Sequence, residues 1–351
     1  MSPDINENKN QFLSANNAKQ ENKYLDFIKT NIIAFFLIFV FVLGTLISDT
    51  FISTYNLQNI AINVSILGIL SLGQTLVLLT KQIDISVGAI MAFAPIAAVK
   101  VTQILMLQFG VQVIQGANYV TSGMLLILLF TIINGILIGI LNGVITVKAK
   151  VPPLITTLGM LYALRGIAYI ISKGYPLYFT YLQRFNWLGT KIIFKVPVCF
   201  LCYLMIGVLG MLILKYTKIG TKIYATGGNE KAAIYSGINS DRWKIIAYTI
   251  SGLCASFSAI IYSSRMESVE VAQATGYEFI SIAIVVIGGT TLEGGRGRLI
   301  GTFIAAIILA AVINIITHIG LIVWYQNIII GIIIISAVFA YIKGIKFGRQ
   351  V

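Results

Sequence analysis

TSGMLLILLFTIINGILIGILNGVITV, residues Thr121 to Val147, runs for 27 residues without a charged side chain. A hydrocarbon core about 30 Å thick is crossed by roughly 20 apolar residues of α-helix. The stretch is rich in Ile and Leu and lacks strict alternation, so it reads as a membrane helix and not as a strand of an outer-membrane barrel. Gly135, Gly139 and Gly143 recur every fourth residue and share one helix face, where a neighbouring backbone can approach closely.

Scanning outward with the same ruler places about ten spans, near 32–49, 57–80, 85–107, 121–147, 153–172, 197–215, 245–263, 277–290, 299–318 and 322–342. The whole chain agrees: 58% of its residues are hydrophobic and 11% are charged, against roughly 25% charged in a soluble domain. The fold class expected is therefore all-α, a polytopic membrane protein embedded in a lipid bilayer. Gly, Asn and Pro interrupt the runs, and half-helices are expected around Ile83 to Gly88 and Ile287 to Gly297.

The net charge of +13 does not point to nucleic acid. Lys and Arg sit in short clusters beside apolar runs, as topology signals do. With the N-terminus inside, the cytoplasm receives the tail lysines, Lys81, Lys148 and Lys150, the group from Lys215 to Lys244, Arg296 and Arg298, and the C-terminal cluster. Both termini are then cytoplasmic. The outer loop from Ser172 to Pro197 runs against the rule, with Lys173, Arg184, Lys191 and Lys195, and a helix hidden there would invert everything after it. Residues 1–30 read as a disordered cytoplasmic tail, 31–345 as the membrane domain with a polar loop at 216–244, and 346–351 as a second short tail.

Catalytic chemistry is not written in this chain. The sole histidine, His318, ends an apolar span and reads as an interfacial residue, and no HExxH or GxSxG motif occurs. No metal site is expected, because Cys199 and Cys202 have no second pair to close one; with Cys254 they read as packing residues. Residues Gly288 to Arg298 (GGTTLEGGRGR) are glycine-rich but lack the GK[ST] ending of a phosphate-binding loop. They read as a tight turn, with Arg296 and Arg298 at the headgroups.

Between two apolar runs lies a polar island, Ala225 to Asn239 (ATGGNEKAAIYSGIN). Asn229 is placed to cap a short helix, Glu230 suits its first turn, and Gly237 suits its end. Lying flat on the membrane surface, such a helix would fit a groove on a partner, with Ala232 and Ala233 permitting close approach. An ordinary connecting loop is the alternative.

Four segments in order carry a resemblance. They are Leu72-Gly73-Gln74-Thr75 through Ile83-Asp84-Ile85-Ser86-Val87-Gly88; Pro153 through Thr156-Thr157-Leu158-Gly159 to Arg165-Gly166; the polar island with Asn229, Glu230, Ala232, Ala233, Gly237 and Ile238; and the glycine ladder with Gly294 and Gly295, ending at Gly301-Thr302. Together they resemble the permease subunits of ATP-binding cassette importers for monosaccharides, over about Ile32 to Gly344. Lys81-Gln82 and the pair Pro152-Pro153 depart from that pattern.

The resemblance implies a bacterial inner-membrane permease that binds no cofactor itself, ATP and Mg residing on a partner. The implied partners are an ATPase subunit that docks on the polar island, a periplasmic or lipoprotein sugar-binding protein, and a second, identical permease chain. Ribose is the first cargo expected, then galactose or xylose, with autoinducer-2 or a nucleoside as alternatives on the same machine.

A neutral, hydroxyl-rich cargo asks for amides and hydroxyls at membrane depth. Gln74, Thr75, Asn134, Asn142, Thr156 and Thr157 are the candidates, with interhelical hydrogen bonding as the other reading. Asp84 reads as the anchor of a turn, accepting N–H bonds near Ser86 and Val87 ahead of Gly88, and Glu278 is a possible partner for Arg165. An ion-coupled transporter would want more intramembrane acidic residues than these. A membrane hydrolase would want a nucleophile and base.

Overall fold

The computed structural model describes residues 33–108, 117–178, 185–320 and part of the stretch from 325 to 339. The tails expected at 1–30 and 346–351, and much of the span expected at 322–342, lie outside the described residues. Among the described residues, seven helices are long and apolar enough to cross a membrane: α2 (Thr54–Leu79), α3 (Val87–Gln108), α4 (Ala117–Lys148), α5 (Pro153–Ser172), α7 (Val198–Tyr216), α10 (Ser240–Met266) and α12 (Leu299–His318). Two more apolar helices are shorter, α1 (Ile33–Ile47) and α11 (Tyr277–Ile287). The expected polytopic all-α architecture is what these elements build, and the expected breaks fall between α2 and α3 and between α11 and α12.

Two further short helices, α8 (Lys218–Gly228) and α9 (Glu230–Tyr235), occupy the polar loop. The segment from Ser172 to Pro197 holds no membrane-length helix among its described residues. It contains the one-turn α6 (Trp187–Thr190) and the strands β1 (Leu177–Tyr178), β2 (Ile192–Ile193) and β3 (Val196–Pro197). β1 pairs antiparallel with β4 (Ser268–Val269), and β2 with β3.

α2 and α10 form the centre. Lipid tails are as apolar as Leu, so helices in a bilayer associate through close packing and interhelical hydrogen bonds. α10 is built for both. Gly135 of α4 meets Ser256 and the Gly252 carbonyl, Gly139 meets the Tyr248 backbone, and Gly143 meets Ile245, so the glycine face read from the sequence is the α4–α10 seam. The serines of α10 bond outward to other elements: Ser256 Oγ to the Thr131 carbonyl at 2.9 Å, Ser258 Oγ to Ile66 at 2.5 Å and Ser264 Oγ to Phe185 at 2.5 Å.

The remaining helices are pinned to this centre by single devices. Asn56 and Asn314 exchange amide hydrogen bonds of 2.9 and 2.8 Å between α2 and α12. Tyr203 of α7 stacks on Phe303, donates to its carbonyl at 3.0 Å and fills the space over Gly68. By contrast α5 turns Ile155, Tyr162, Tyr169 and Ile170 outward. His318 packs edge-on against Phe51.

Candidate functional site

Three places gather the residues singled out by the sequence. The first is the polar island. α9 starts as its local sequence dictates: Asn229 has extended backbone, and its Oδ1 accepts from the Ala232 N–H at 3.1 Å. Glu230 sits in the first turn, where the helix dipole favours it, and accepts from Lys244 Nζ at 2.6 Å. The turn closes with the Ile238 N–H on the Ala233 carbonyl, and Gly237 takes φ +78. Ala232 is exposed, while Ala233 is buried against its own chain. Of the two small residues only Ala232 is open to a partner, flanked by exposed Ile234 and Tyr235.

The second place is the break between α2 and α3. Asp84 is fully buried; its Oδ1 accepts from the Ser86 N–H at 3.0 Å and Ser86 Oγ at 2.6 Å, and its Oδ2 from Ser251 Oγ at 3.0 Å. Its bonds tie the turn to Ser86 and α10, with none to Val87 among those described. Asn142 Nδ2 donates to Ser86 Oγ at 2.8 Å, and Tyr248 donates to the Ile83 carbonyl at 3.1 Å, with Thr157 Oγ1 at 3.5 Å from the same oxygen. A stretch without helical bonds is thus held from α4, α5 and α10, which satisfies polar backbone at depth.

Next to it the first turns of α3 and α11 abut. A side chain on Gly88 would overlap Glu278 Oε2 and the Ala274 carbonyl. Glu278 Oε1 accepts from the Gly276 N–H at 3.2 Å, and Glu278 and Arg165 interact electrostatically without a salt-bridge contact. Arg165 reaches across instead to the carbonyls of Val271 and, at 2.9 Å, Gln273. The reason lies in the loop before α11, whose carbonyls lack helical partners and take the guanidinium's fork.

Gln273 itself answers a defect in α3. Pro95 lies inside that helix and has no N–H for the Met91 carbonyl four residues back. Gln273 Nε2 fills the vacancy at 3.1 Å. Sequence reading passed over Gln273, although a proline inside an apolar helix signals a carbonyl in need of a donor.

The third place is the loop from Gly288 to Arg298. The Gly295 N–H donates to the Leu79 carbonyl at 2.9 Å, and Tyr224 Oη donates to the Gly297 carbonyl at 2.9 Å. Gly294 (φ +80) lies against Lys81 and the Gly227 carbonyl, and Gly295 (φ +68) against Gly228. Gly288 and Gly301 let the end of α11 touch the start of α12 backbone to backbone. The loop is a tight turn as read, and it is also a three-way contact with α2 and α8.

None of the residues proposed for a sugar path lines the grooves described among these helices. Thr75 bonds to Thr302 at 2.9 Å, Asn134 Nδ2 to the Ala94 carbonyl at 3.3 Å, and Thr157 to the Pro153 carbonyl at 2.9 Å. Gln74 and Thr156 are buried with no hydrogen-bond partner for their side-chain polar atoms. A groove between α2, α7, α8 and α10 is lined by apolar side chains such as Leu76, Ile213, Ile223 and Phe257.

Comparison with known proteins covers nearly the whole membrane region. Residues 56–338 match the family described as branched-chain amino acid transport system / permease component. The ribose import permease protein RbsC of Escherichia coli (strain K12) is 35% identical over 305 residues, covering 86% of this chain and 90% of that one. RbsC of Bacillus subtilis (strain 168) is 32% identical, covering 91% and 95%. The xylose/arabinose import permease protein XylH of Sulfolobus acidocaldarius is 32% identical, covering 84% and 80%. No solved structure matches.

Proposed function

Because the chain belongs to the permease subunits of ATP-binding cassette importers, in the group that serves monosaccharides, we propose that it carries ribose inward across a bacterial inner membrane, with both termini in the cytoplasm. Two copies form the path, a separate ATPase subunit that holds ATP and Mg supplies the free energy, and a binding protein delivers the sugar. The observation that carries this reading is α9, a capped six-residue helix with Ala233 turned inward and Ala232, Ile234 and Tyr235 exposed. Its exposed face docks on the ATPase, and closure of the ATPase dimer displaces it.

The flanking helices α7 and α10 then tilt, and the path opens to the other side. Neutral sugar hydroxyls need only amides and hydroxyls along the way. Gln74 and Thr156, whose side-chain polar atoms have no hydrogen-bond partner among the described residues, are the candidates with hydrogen bonds to offer once the helices part.

Uptake of radiolabelled ribose, galactose and xylose into vesicles holding this chain, its ATPase and its binding protein tests the reading, with and without ATP. ATP-dependent accumulation of ribose is expected; accumulation that follows an ion gradient without ATP overturns it. Glu230→Lys places a cation beside Lys244 on α9. It should cut uptake at least tenfold with the chain still inserted, and normal uptake would remove α9 from the mechanism.

A further inference from the structure

The polar loop is bonded to more of the bundle than the two helices that flank it. Immediately before α9, the end of α8 meets the end of α2 and the glycine loop after α11 in one joint. A side chain on Gly227 would overlap the Leu79 carbonyl, with the Gly295 nitrogen 2.7 Å from its Cβ position, whereas one on Gly228 has 3.9 Å to its nearest neighbour, Gly295. One residue therefore separates a glycine that the joint requires from a glycine that it tolerates. The joint is closed by two hydrogen bonds, Gly295 N–H to Leu79 and Tyr224 Oη to Gly297.

Apart from Tyr224 and the Lys81 Cβ against Gly294, the closing contacts are backbone on backbone, and such contacts have no rotamers with which to absorb a displacement. Movement of the α8–α9 unit must carry the end of α2 and the loop between α11 and α12 with it. The end of α2 is five residues from Asp84, whose carboxylate holds the break at α3.

We propose that this joint is a second output of the coupling segment, transmitting its displacement to the α2–α3 and α11–α12 breaks, with Gly227, Gly295 and Tyr224 as positioning residues for transport. The proposal rests on the docking role given to α9 above, and it adds a route that does not pass through α7 or α10. Lengths and angles at α9 itself are untouched by it.

The test uses the full transporter reconstituted in vesicles with its ATPase and binding protein, reading three quantities: ATPase retained on the purified permease, sugar-stimulated ATP hydrolysis, and ribose uptake. Gly227→Ala should retain the ATPase and at least half the hydrolysis while losing tenfold or more in uptake, an uncoupled phenotype. Gly228→Ala should keep uptake within twofold. Tyr224→Phe removes one hydroxyl without adding bulk, so it tests the joint even if Gly227→Ala fails to fold; uptake should fall twofold to fivefold at unchanged hydrolysis.

Uptake and hydrolysis that fall together in Tyr224→Phe, or that stay at wild-type levels in both Tyr224→Phe and Gly227→Ala, overturn the proposal. Glu230→Lys keeps the two readings apart. If it abolishes uptake while the joint variants transport normally, the joint alone fails; if it transports normally, the docking reading has failed first.

Discussion

Two of the places where the chain leaves the helix inside the bundle, residues 80–86 and residues 288–298, are held by different chemistry. The first is held by side chains: Asp84, Ser86, Asn142, Thr157, Tyr248 and Ser251 supply its hydrogen bonds. The second is held by bare backbone, through Gly288, Gly294, Gly295 and Gly301, with Tyr224 as its one described side-chain donor from another element. A side-chain junction can be weakened in steps, since each group contributes one bond. A backbone junction has no partial state, since any Cβ either fits or overlaps.

That contrast can be broken most forcefully at Asp84. Asp84→Ala leaves the Ser86 N–H and the Ser251 hydroxyl without their acceptor in a buried site, and should cost about 3 kcal/mol. The midpoint of thermal unfolding in detergent should drop, and Asp84→Asn, which keeps one acceptor oxygen, should recover part of the loss. Equal midpoints for Asp84→Ala and wild type would remove the carboxylate from the first junction.

Gly301→Ala attacks the second junction, where a methyl group overlaps the Gly288 carbonyl, and should cost about 2 kcal/mol by overpacking. The comparison sharpens if Gly289→Ala is measured beside it. Gly289 has φ +84 and open space around it, so only the conformational strain of about 1 kcal/mol is expected. A smaller loss at Gly301 than at Gly289 would mean that the α11–α12 contact gives way easily.

An effect as small as that of Gly289→Ala should come from Asn142→Ala. It removes one bond to Ser86 Oγ, a group that keeps its own bond to Asp84, and should cost about 1 kcal/mol. A loss as large as that of Asp84→Ala would show that the first junction also fails as a unit.

What could be read from the sequence was whatever a local signal encodes. Asn229, Glu230 and Gly237 set the ends of α9 within nine residues, and the glycines of α4 advertise a close seam by their spacing alone. The partners of Asp84 and Arg165 could not be read in this way. Ser251 lies 167 residues from Asp84, and the Val271 and Gln273 carbonyls lie 106 and 108 residues from Arg165, so charge complementarity found Glu278 as an electrostatic neighbour and missed the loop carbonyls that take the hydrogen bonds.

The inward turn of Ala233 escaped for a different reason. On a helix of six residues, two adjacent alanines look alike until the surface beneath them is known. The glycine loop showed its flexibility in the sequence and hid its neighbours, because a glycine placed for a turn and a glycine placed for a close approach are the same letter.

One consequence of α10 concerns how the protein is made. Six of its residues are serines, all buried, and the described partners of Ser251, Ser256, Ser258 and Ser264 lie on other elements, three of them preceding α10 by more than 100 residues. A segment with that many hydroxyls gains little from lipid by itself, so its entry into the bilayer is favoured by the earlier helices that already offer those acceptors. Synthesis that stopped before Ser240 would leave the glycine stripe of α4 facing acyl chains, an exposed seam of the kind that quality-control proteases can recognise.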